Sequence, residues 1–280
     1  MRPLVKAAFD GVVDSCLSRT LQIRLGEHVL NRAKGQGDGD PQTNGEYWLA
    51  SIIKAHLRTR RSIVFDVGAN RGEWTAHFAE GMSDKLTIVL FEPVPKTFEQ
   101  LEINLAHMTS PVATKAVNAA LSDVVGTAAM YIDVRNPTAG SNSRAARKAH
   151  VYGLFQREIG GIALVTGEDF CEKNGIGHID FMKIDTQGHE CAVLKGCSKM
   201  LAQRKIDFIQ FEYGGTWIDS KTDLSDAFEL LNPYGYVVCR VHPKCLEVFE
   251  SYDQRQETFA HANYAAVRRE LLPLFAKLQW

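Results

Sequence analysis

Short β-branched runs that alternate with helical periodicity constrain the fold of this chain most. From residue 62 onward, seven such runs are separated by segments in which apolar residues recur every three or four positions. The runs cover residues 63–67, 87–91, 116–121, 179–184, 206–211, 236–241 and 264–267. Strands that alternate with helices predict an α/β fold: one doubly wound domain with a mostly parallel sheet and helices on both faces.

A break in composition divides the chain before these runs. Residues 34–46 are rich in glycine, aspartate and other polar residues, which is typical of a loop or linker. We therefore expect an N-terminal helical extension and linker over residues 1–61 and one domain over residues 62–280. Apolar side chains near the start recur at helical spacing, which predicts an amphipathic helix packed on the protein's own body. They are Leu4, Ala7, Ala8, Val12, Cys16 and Leu17.

The stretch from residue 127 to about residue 161 interrupts the alternation. It begins as a predicted strand over residues 129–134 and continues as a polar and basic loop, so we interpret it as an insertion on the catalytic side of the sheet. The basic side chains are Arg135, Arg144, Arg147, Lys148 and His150. They form either a lid that recognises an anionic ligand or an ordinary solvated loop, and the sequence leaves both interpretations open.

Charge and cysteine content argue against several classes of partner. The chain has 32 Lys and Arg against 33 Asp and Glu, so its formal net charge of −1 gives no reason to expect nucleic acid or an anionic membrane as partner. No apolar run approaches the roughly 18–20 residues that span a bilayer. The six cysteines form no CxxC pair, so we expect reduced thiols, no metal site and a cytoplasmic location.

The turn after the first predicted strand carries the strongest signal for a ligand. In the run IVFDVGANRGEWT, Asp66 lies near the strand end, and Gly68 and Gly72 bracket a tight turn into a helix. Glycines let a ligand approach the backbone at the helix N-terminus. The GxxxG spacing departs from the GxGxxG of dinucleotide sites. Because a carboxylate repels pyrophosphate but attracts a sulfonium, the turn favours S-adenosylmethionine over NAD, with Ala69 and Asn70 as further contacts.

Two more strand ends complete the predicted cofactor site. Glu92 follows the second strand, where a carboxylate can accept both hydroxyl hydrogens of a ribose, and Pro93 restrains the chain behind it. The third predicted strand carries Asn118, Ala119 and Ala120, whose backbone or side-chain groups can contact an adenine. The carboxyl ends of parallel strands share one edge of the sheet, so we expect these residues to lie together.

The fourth and fifth predicted strands end in candidate catalytic groups. Asp185 follows the fourth strand, His189 lies in the helical turn after it, and Glu212 ends the fifth. A hydroxyl nucleophile loses its proton as it attacks, and a carboxylate or a neutral histidine within hydrogen-bond reach can accept that proton. We rank Asp185 first as this base and His189 second, with Glu212 as an orienting or substrate-binding group. The spacing of the three matches no recognised metal-ligand motif.

These motifs, in their order along the chain, resemble the FkbM-type S-adenosylmethionine-dependent methyltransferases. The resemblance runs from about residue 62 to residue 267 and rests on FDVGANRGEWT, FEPVP, NAALSD, DFMKIDTQGHE, QFEY and NYAAV. It implies a Rossmann-like seven-stranded sheet with a last antiparallel strand and a methyltransferase domain over residues 62–280. It also implies methyl transfer to a hydroxyl of a sugar-containing or secondary-metabolite small molecule, which is anionic if the basic loop contacts it.

The chain departs from the family pattern at one position. The family usually has Asp-x-Glu-Gly, whereas this chain has Asp185, Thr186, Gln187 and Gly188. If the family's glutamate is the base, this chain is slow or inactive, and if that glutamate only orients, little changes. A non-catalytic cofactor-binding protein is therefore the alternative function, and an NAD-dependent oxidoreductase is a weaker one.

Overall fold

The computed structural model describes residues 18–133 and 156–276. The α-helices in these ranges are α1 (Arg19–Lys34), α2 (Glu46–Leu57), α3 (Glu73–Ala79), α4 (Pro95–His107), α5 (Gly167–Lys173), α6 (Glu190–Lys195), α7 (Ser198–Ala202), α8 (Thr216–Asp219) and α9 (Leu224–Leu231). The strands are β1 (Ser62–Val67), β2 (Leu86–Phe91), β3 (Ala113–Val117), β4 (Ala120–Leu121), β5 (Gly126–Asp133), β6 (Gln156–Val165), β7 (Ile179–Ile184), β8 (Ile206–Tyr213), β9 (Tyr236–His242), β10 (Cys245–Phe249) and β11 (Ala262–Arg268). Helices and strands therefore alternate along most of the chain, as the apolar pattern predicts.

The main sheet has eight strands in the order β10-β9-β11-β8-β7-β1-β2-β3. Strands β8, β7, β1, β2 and β3 pair in parallel, whereas β11 runs antiparallel to both of its neighbours, β8 and β9. The predicted fold class, a mostly parallel sheet with a last antiparallel strand, is confirmed. The eighth strand, β10, forms a hairpin with β9. Its short sequence CLEVF alternates only weakly, so the sequence did not predict it.

The third predicted strand, residues 116–121, combines two elements. Strand β3 ends at Val117, and β4 begins at Ala120 in a second sheet of order β4-β6-β5. The apolar run is continuous across residues 116–121, so it gives no sign that the chain changes sheet within it. Strand β5 corresponds to the predicted insertion strand. The basic loop of residues 135–150 and the predicted helix before residue 18 lie outside the described residues.

Two apolar layers, one on each face of the main sheet, hold the helices. One layer packs helices α5, α6, α7 and α9 against side chains that include Phe65, Met182 and Phe211. The other packs α2, α3 and α4 against the opposite face. Helix α2 lies in the predicted N-terminal extension, yet its Leu49, Ala50, Ile53 and Leu57 are fully buried in this second layer. In the part of the chain that the structure describes, no helix is long and apolar enough to cross a membrane.

Candidate active site

The turn after β1 brings two strand ends into contact. Gly68 has a φ of +82°, and a Cβ at this position would overlap the backbone oxygen of Asp185, which follows β7. The backbone N–H of Gly68 donates to the carbonyl of Phe91 at 2.9 Å, so the turn is also tied to the end of β2. Only glycine allows both the positive φ and this close approach. The turn is therefore an open backbone cradle at the carboxyl edge of the sheet.

Glu92 is held by the backbone on both of its oxygens. Its Oε2 accepts a hydrogen bond from the N–H of Asn70 at 3.0 Å, and its Oε1 accepts one from the N–H of Val94 at 2.9 Å. Burial raises the pKa of Glu92 to about 7, although both hydrogen bonds favour the charged form. Each carboxylate oxygen keeps a further lone pair, so Glu92 can still accept hydrogen bonds from a ligand.

Asn118 supports this arrangement from beside the pocket. The side chain of Asn118 is exposed, and its Nδ2 donates to the carbonyl oxygens of Glu92 at 2.9 Å and Pro93 at 3.2 Å. These two bonds fix the chain that follows β2 against the chain that follows β3. Asn118 therefore positions the backbone around Glu92 and does not line the pocket.

A pocket opens between these strand ends. Of the residues predicted from the sequence to hold a cofactor, Gly68, Asn70, Glu92, Pro93 and Ala120 line the pocket. Of the predicted catalytic residues, Asp185 and His189 line it, and Glu212 does not. The remaining predicted residues, Asp66, Ala69, Gly72, Asn118 and Ala119, lie behind or beside this lining. The structure also adds apolar walls from Val67, Phe91, Val94, Leu121 and Met130.

Asp66 is completely buried beneath the pocket. Thr75 donates to its Oδ2 at 2.6 Å, and its Oδ1 has no hydrogen-bond partner among the described residues. Burial raises the pKa of Asp66, and the charge of nearby Lys183 opposes that rise. Asp66 and Lys183 are paired neighbours on β1 and β7. The strand-end aspartate predicted from the sequence is therefore a buried carboxyl group beside a buried cation.

Asp185 is more exposed than Asp66 and Glu92, with 35% of its side chain accessible. Its Oδ2 lies 3.2 Å from the Nζ of Lys183. Burial is the largest influence and opposes ionisation of Asp185, but the Lys183 ammonium and the hydrogen bonds that Asp185 accepts from Gln187 and Lys183 together outweigh it and hold the pKa of Asp185 below its ordinary value. Asp185 is therefore ionised near neutral pH and presents a negative charge to the pocket.

Gln187 bridges two carboxylates. Its Nε2 donates to Asp185 Oδ1 at 3.0 Å and to Glu212 Oε2 at 2.7 Å, from a backbone with a φ of +56°. Carboxylates only accept hydrogen bonds, so the amide N–H groups must face them. A glutamate at this position would bring a third negative charge to the same point. The amide is therefore a neutral donor that lets Asp185 and Glu212 stand close together.

His261 was missed by the sequence analysis. It precedes β11, and its Nε2 donates to Glu212 Oε1 at 2.7 Å. The hydrogen bond to the Glu212 carboxylate raises the pKa of His261, whereas burial raises the pKa of Glu212. Nothing in the local sequence FAHANY marks this histidine, because Glu212 lies 49 positions away. Its position at the start of the closing strand was the one available signal.

Glu46 was also missed, because it lies in the predicted extension. It is the first residue of α2 and is half-buried. The preceding Gly45 has a φ of +97° and packs so closely on the carbonyl of His242 that a Cβ would overlap it, which places the start of α2 at the carboxyl edge. Burial raises the pKa of Glu46, and the charges that act on it include Lys183 and Asp185. Glu46 therefore faces the same cluster as the strand-end residues.

His189 and Glu190 lie where the loop after β7 enters α6, and both make hydrogen bonds there. His189 Nε2 lies 3.0 Å from Ser122 Oγ, at the end of β4. Glu190 folds back onto its own loop and accepts from the N–H groups of Thr186 at 2.8 Å and Gly188 at 2.9 Å. Burial raises the pKa of Glu190 to about 8. Glu190 thus fixes the loop that carries Asp185 and His189.

A second group of ionisable side chains lies at the opposite edge of the sheet. His178, Asp180 and Asp207 have the spacing of metal ligands. Arg60 lies 2.8 Å from Asp180 and 3.1 Å from Asp207, and Arg268 lies 2.8 Å from Asp207. The two arginines balance the charge of the two carboxylates, which is typical of a structural ion-pair network.

A family model described as methyltransferase FkbM domain matches residues 66–238. No curated protein sequence matches. Among solved structures, precorrin-6y C5,15-methyltransferase from Geobacter metallireducens is 12% identical, covers 79% of this chain and 88% of that chain, and has a TM-score of 0.41. An rRNA methylase from Streptococcus thermophilus is 10% identical, with 80% and 96% covered and a TM-score of 0.41. TrmK from M. capricolum, in complex with S-adenosyl-homocysteine, is 9% identical, with 79% and 68% covered and a TM-score of 0.40.

Proposed function

The chain belongs to the FkbM methyltransferase domain family, and from this premise we propose that it transfers a methyl group from S-adenosylmethionine to a hydroxyl oxygen of a small molecule. The acceptor class is a sugar-containing compound or another secondary metabolite. One observation carries the proposal beyond the family: the Gly68 turn and the buried Glu92 line the same pocket as the ionised Asp185. These are the groups that a nucleoside with a cationic sulfur requires.

The residues of the pocket fit S-adenosylmethionine. A side chain at Gly68 would fill the cradle, and Glu92 keeps lone pairs for the two ribose hydroxyls. The apolar walls of Leu121 and Met130 suit an adenine ring. Asp185 and the buried Asp66 supply negative potential for a sulfonium and an amino group. When bound, S-adenosylmethionine supplies an electrophilic methyl group on a positively charged sulfur.

The chain's own residues orient the acceptor and take up its proton. Asp185 is our first candidate for the base, because it lines the pocket and is ionised across the neutral pH range. His189 is the second candidate, and its contact with Ser122 directs it toward β4. Glu212 accepts hydrogen bonds from Gln187 and His261, so we assign it an orienting role. Positioning then contributes the larger part of the rate enhancement.

Gln187 supports a catalytic rather than a non-catalytic interpretation. An amide cannot act as a base, but it can orient Asp185 and Glu212 through two hydrogen bonds. The departure from the family pattern therefore changes the charge of the site without removing its carboxylates. We also propose a cytoplasmic location, because the five cysteines in the described ranges are free thiols.

The proposed reaction can be tested with a panel of hydroxyl acceptors. Methyl glycosides, sugar nucleotides and hydroxylated macrolides are incubated with the protein and S-adenosylmethionine, and mass spectrometry detects the O-methylated product. We expect one acceptor class to gain a methyl group, and Asp185→Asn to slow the reaction by about 100-fold or more. Asp84→Asn, which changes an exposed aspartate in the loop before β2, is the matched control. Methylation at carbon or nitrogen would contradict the proposed O-specificity.

A further inference from the structure

A row of polar side chains crosses the main sheet on the face that α2 covers. Asp66, Lys183 and Gln210 are paired neighbours on β1, β7 and β8, and Gln210 donates to Asn263 of β11 at 3.2 Å. All four are buried. Val64, Phe181 and Phe208, two residues earlier on β1, β7 and β8, belong to the apolar layer on this face. The row therefore replaces apolar packing with polar groups directly behind the carboxyl edge.

Lys183 is the buried cation of this row. Only 6% of the residue is exposed, and its Nζ lies 3.2 Å from Asp185 Oδ2 and 5.8 Å from the centre of the Trp74 ring. A buried ammonium is costly unless it is paired, so its neighbours must hold it charged. Burial opposes the charge of Lys183, but Asp185 and Asp66 outweigh it and keep its pKa above the ordinary value.

Several charged groups among the described residues act on Asp66, Lys183 or Asp185. They are Glu46 on α2, Glu73 on α3, Glu92 after β2, Glu190 on α6, Glu212 on β8 and His261 before β11, and His189 lines the same pocket as Asp185. Without a central cation, mutual repulsion and burial would drive protons onto these carboxylates. The charge of Asp185 therefore depends on Lys183.

We propose that Lys183 is a positioning residue of the methyl-transfer site, which keeps the Asp185 carboxylate ionised and fixed at the cofactor pocket. Lys183 does not line the pocket, so it acts through Asp185. The inference rests on the proposed function, since Asp185 is taken there to face the cationic part of S-adenosylmethionine.

The test compares Lys183→Met with the unchanged protein in calorimetric titrations with S-adenosylmethionine between about pH 6 and pH 8.5. Loss of Lys183 raises the pKa of Asp185, so Asp185 becomes protonated as the pH falls. We expect the variant to bind about tenfold more weakly at pH 6 and the difference to close toward pH 8.5. Taking the ratio of the two affinities cancels the titration only of those groups on which Lys183 does not act. Lys54→Met, a half-buried lysine on the same face, is the matched control.

A loss of affinity that is equal at every pH would mean a merely structural lysine and would overturn the inference, as would unchanged binding. If the unchanged protein does not bind S-adenosylmethionine, the proposed function fails instead. If Lys183→Met does not fold, ¹³C NMR of the carboxyl groups in the unchanged protein decides. The inference requires Asp185 to titrate below its ordinary pKa of 3.8, and a midpoint above that value would overturn it.

Discussion

At the scale of single residues, Gln187 determines how many negative charges the site carries. Its amide donates hydrogen bonds to both Asp185 and Glu212, whereas a glutamate would add a third carboxylate beside them. Two neighbouring carboxylates already raise the cost of ionising another one. The Gln187 amide therefore lets two acidic groups lie close together without a third carboxylate.

We predict that Gln187→Glu destabilises the protein increasingly as the pH rises. The new carboxyl has a folded-state pKa above its unfolded value of about 4.3, so the folded state binds more protons and loses stability from about pH 4.5 upward. We expect a loss of about 1–3 kcal/mol in the free energy of unfolding at pH 8 and little loss at pH 4. Urea unfolding at both pH values measures it. Gln203→Glu on the exposed surface is the control, and equal losses in the two variants would contradict the prediction.

A second prediction concerns Glu92, whose pKa is about 7. Ribose hydroxyls donate hydrogen bonds to the charged carboxylate, so binding of S-adenosylmethionine favours ionisation and releases protons below pH 7. Calorimetry at about pH 6.5 in two buffers of different ionisation enthalpy measures this release. We expect a release that disappears in Glu92→Gln, together with about tenfold weaker binding. The same release in the variant would show that another group titrates.

The strand-end residues could be predicted from the sequence, and the residues that complete the site could not. Gly68, Glu92 and Asp185 follow recognisable strands, and the parallel sheet brings such ends to one edge. His261 and Glu46 reach the site through tertiary packing, and no local pattern marks them. The consequences of burial for Asp66 and Lys183 likewise depend on helix packing that the sequence does not specify.

At the scale of elements, helix α2 joins the N-terminal segment to the sheet. Its Leu49, Ala50, Ile53 and Leu57 are buried against the same face as the Asp66 and Lys183 row. The predicted division at residue 61 followed the composition break at residues 34–46, which does separate α1 from α2. We propose that the cooperatively folding unit begins with α2. The composition break marks only the loop at residues 34–46, and it does not show that the helix after this loop packs on the sheet.

We predict that Ile53→Ala lowers the free energy of unfolding by about 2–5 kcal/mol, the usual cost of a cavity in a packed core. Val29→Ala on α1, where the side chain is 58% exposed, should change it by less than about 0.5 kcal/mol. Urea unfolding followed by circular dichroism measures both. A small effect of Ile53→Ala would mean that α2 is peripheral to the fold.

Helix α2 also carries Glu46 to the site. Its pKa is raised by burial, and Glu212, Asp185 and Asp66 add to the rise while Lys183 opposes it. We predict that Glu46→Gln lowers the pKa of His261, because one of the negative charges that favour the imidazolium is removed. NMR titration of the His261 ring protons measures this, with Glu102→Gln on the exposed face of α4 as control. An unchanged His261 pKa would show that the charge of Glu46 does not act on His261.

At the scale of the whole molecule, the sheet order determines which distant residues meet. Strands β1, β7, β8 and β11 are neighbours, so Asp66, Lys183, Glu212 and the residue before β11 share one edge although they are far apart in the chain. The alternation of strands and helices predicted a mostly parallel sheet, and the family resemblance implied its last antiparallel strand. The hairpin strand β10 and the second sheet β4-β6-β5 followed no comparable periodicity, so they were not predicted.

We propose above that the pocket at the carboxyl edge of the main sheet binds S-adenosylmethionine for methyl transfer. Its most direct test is equilibrium binding of S-adenosylmethionine and NAD to the unchanged protein, measured by calorimetry near pH 7.5. We expect saturable binding of S-adenosylmethionine at one site per chain, with a dissociation constant in the micromolar range of about 1–100 µM, and none of NAD. Absence of S-adenosylmethionine binding, or preferential binding of NAD, would contradict the account.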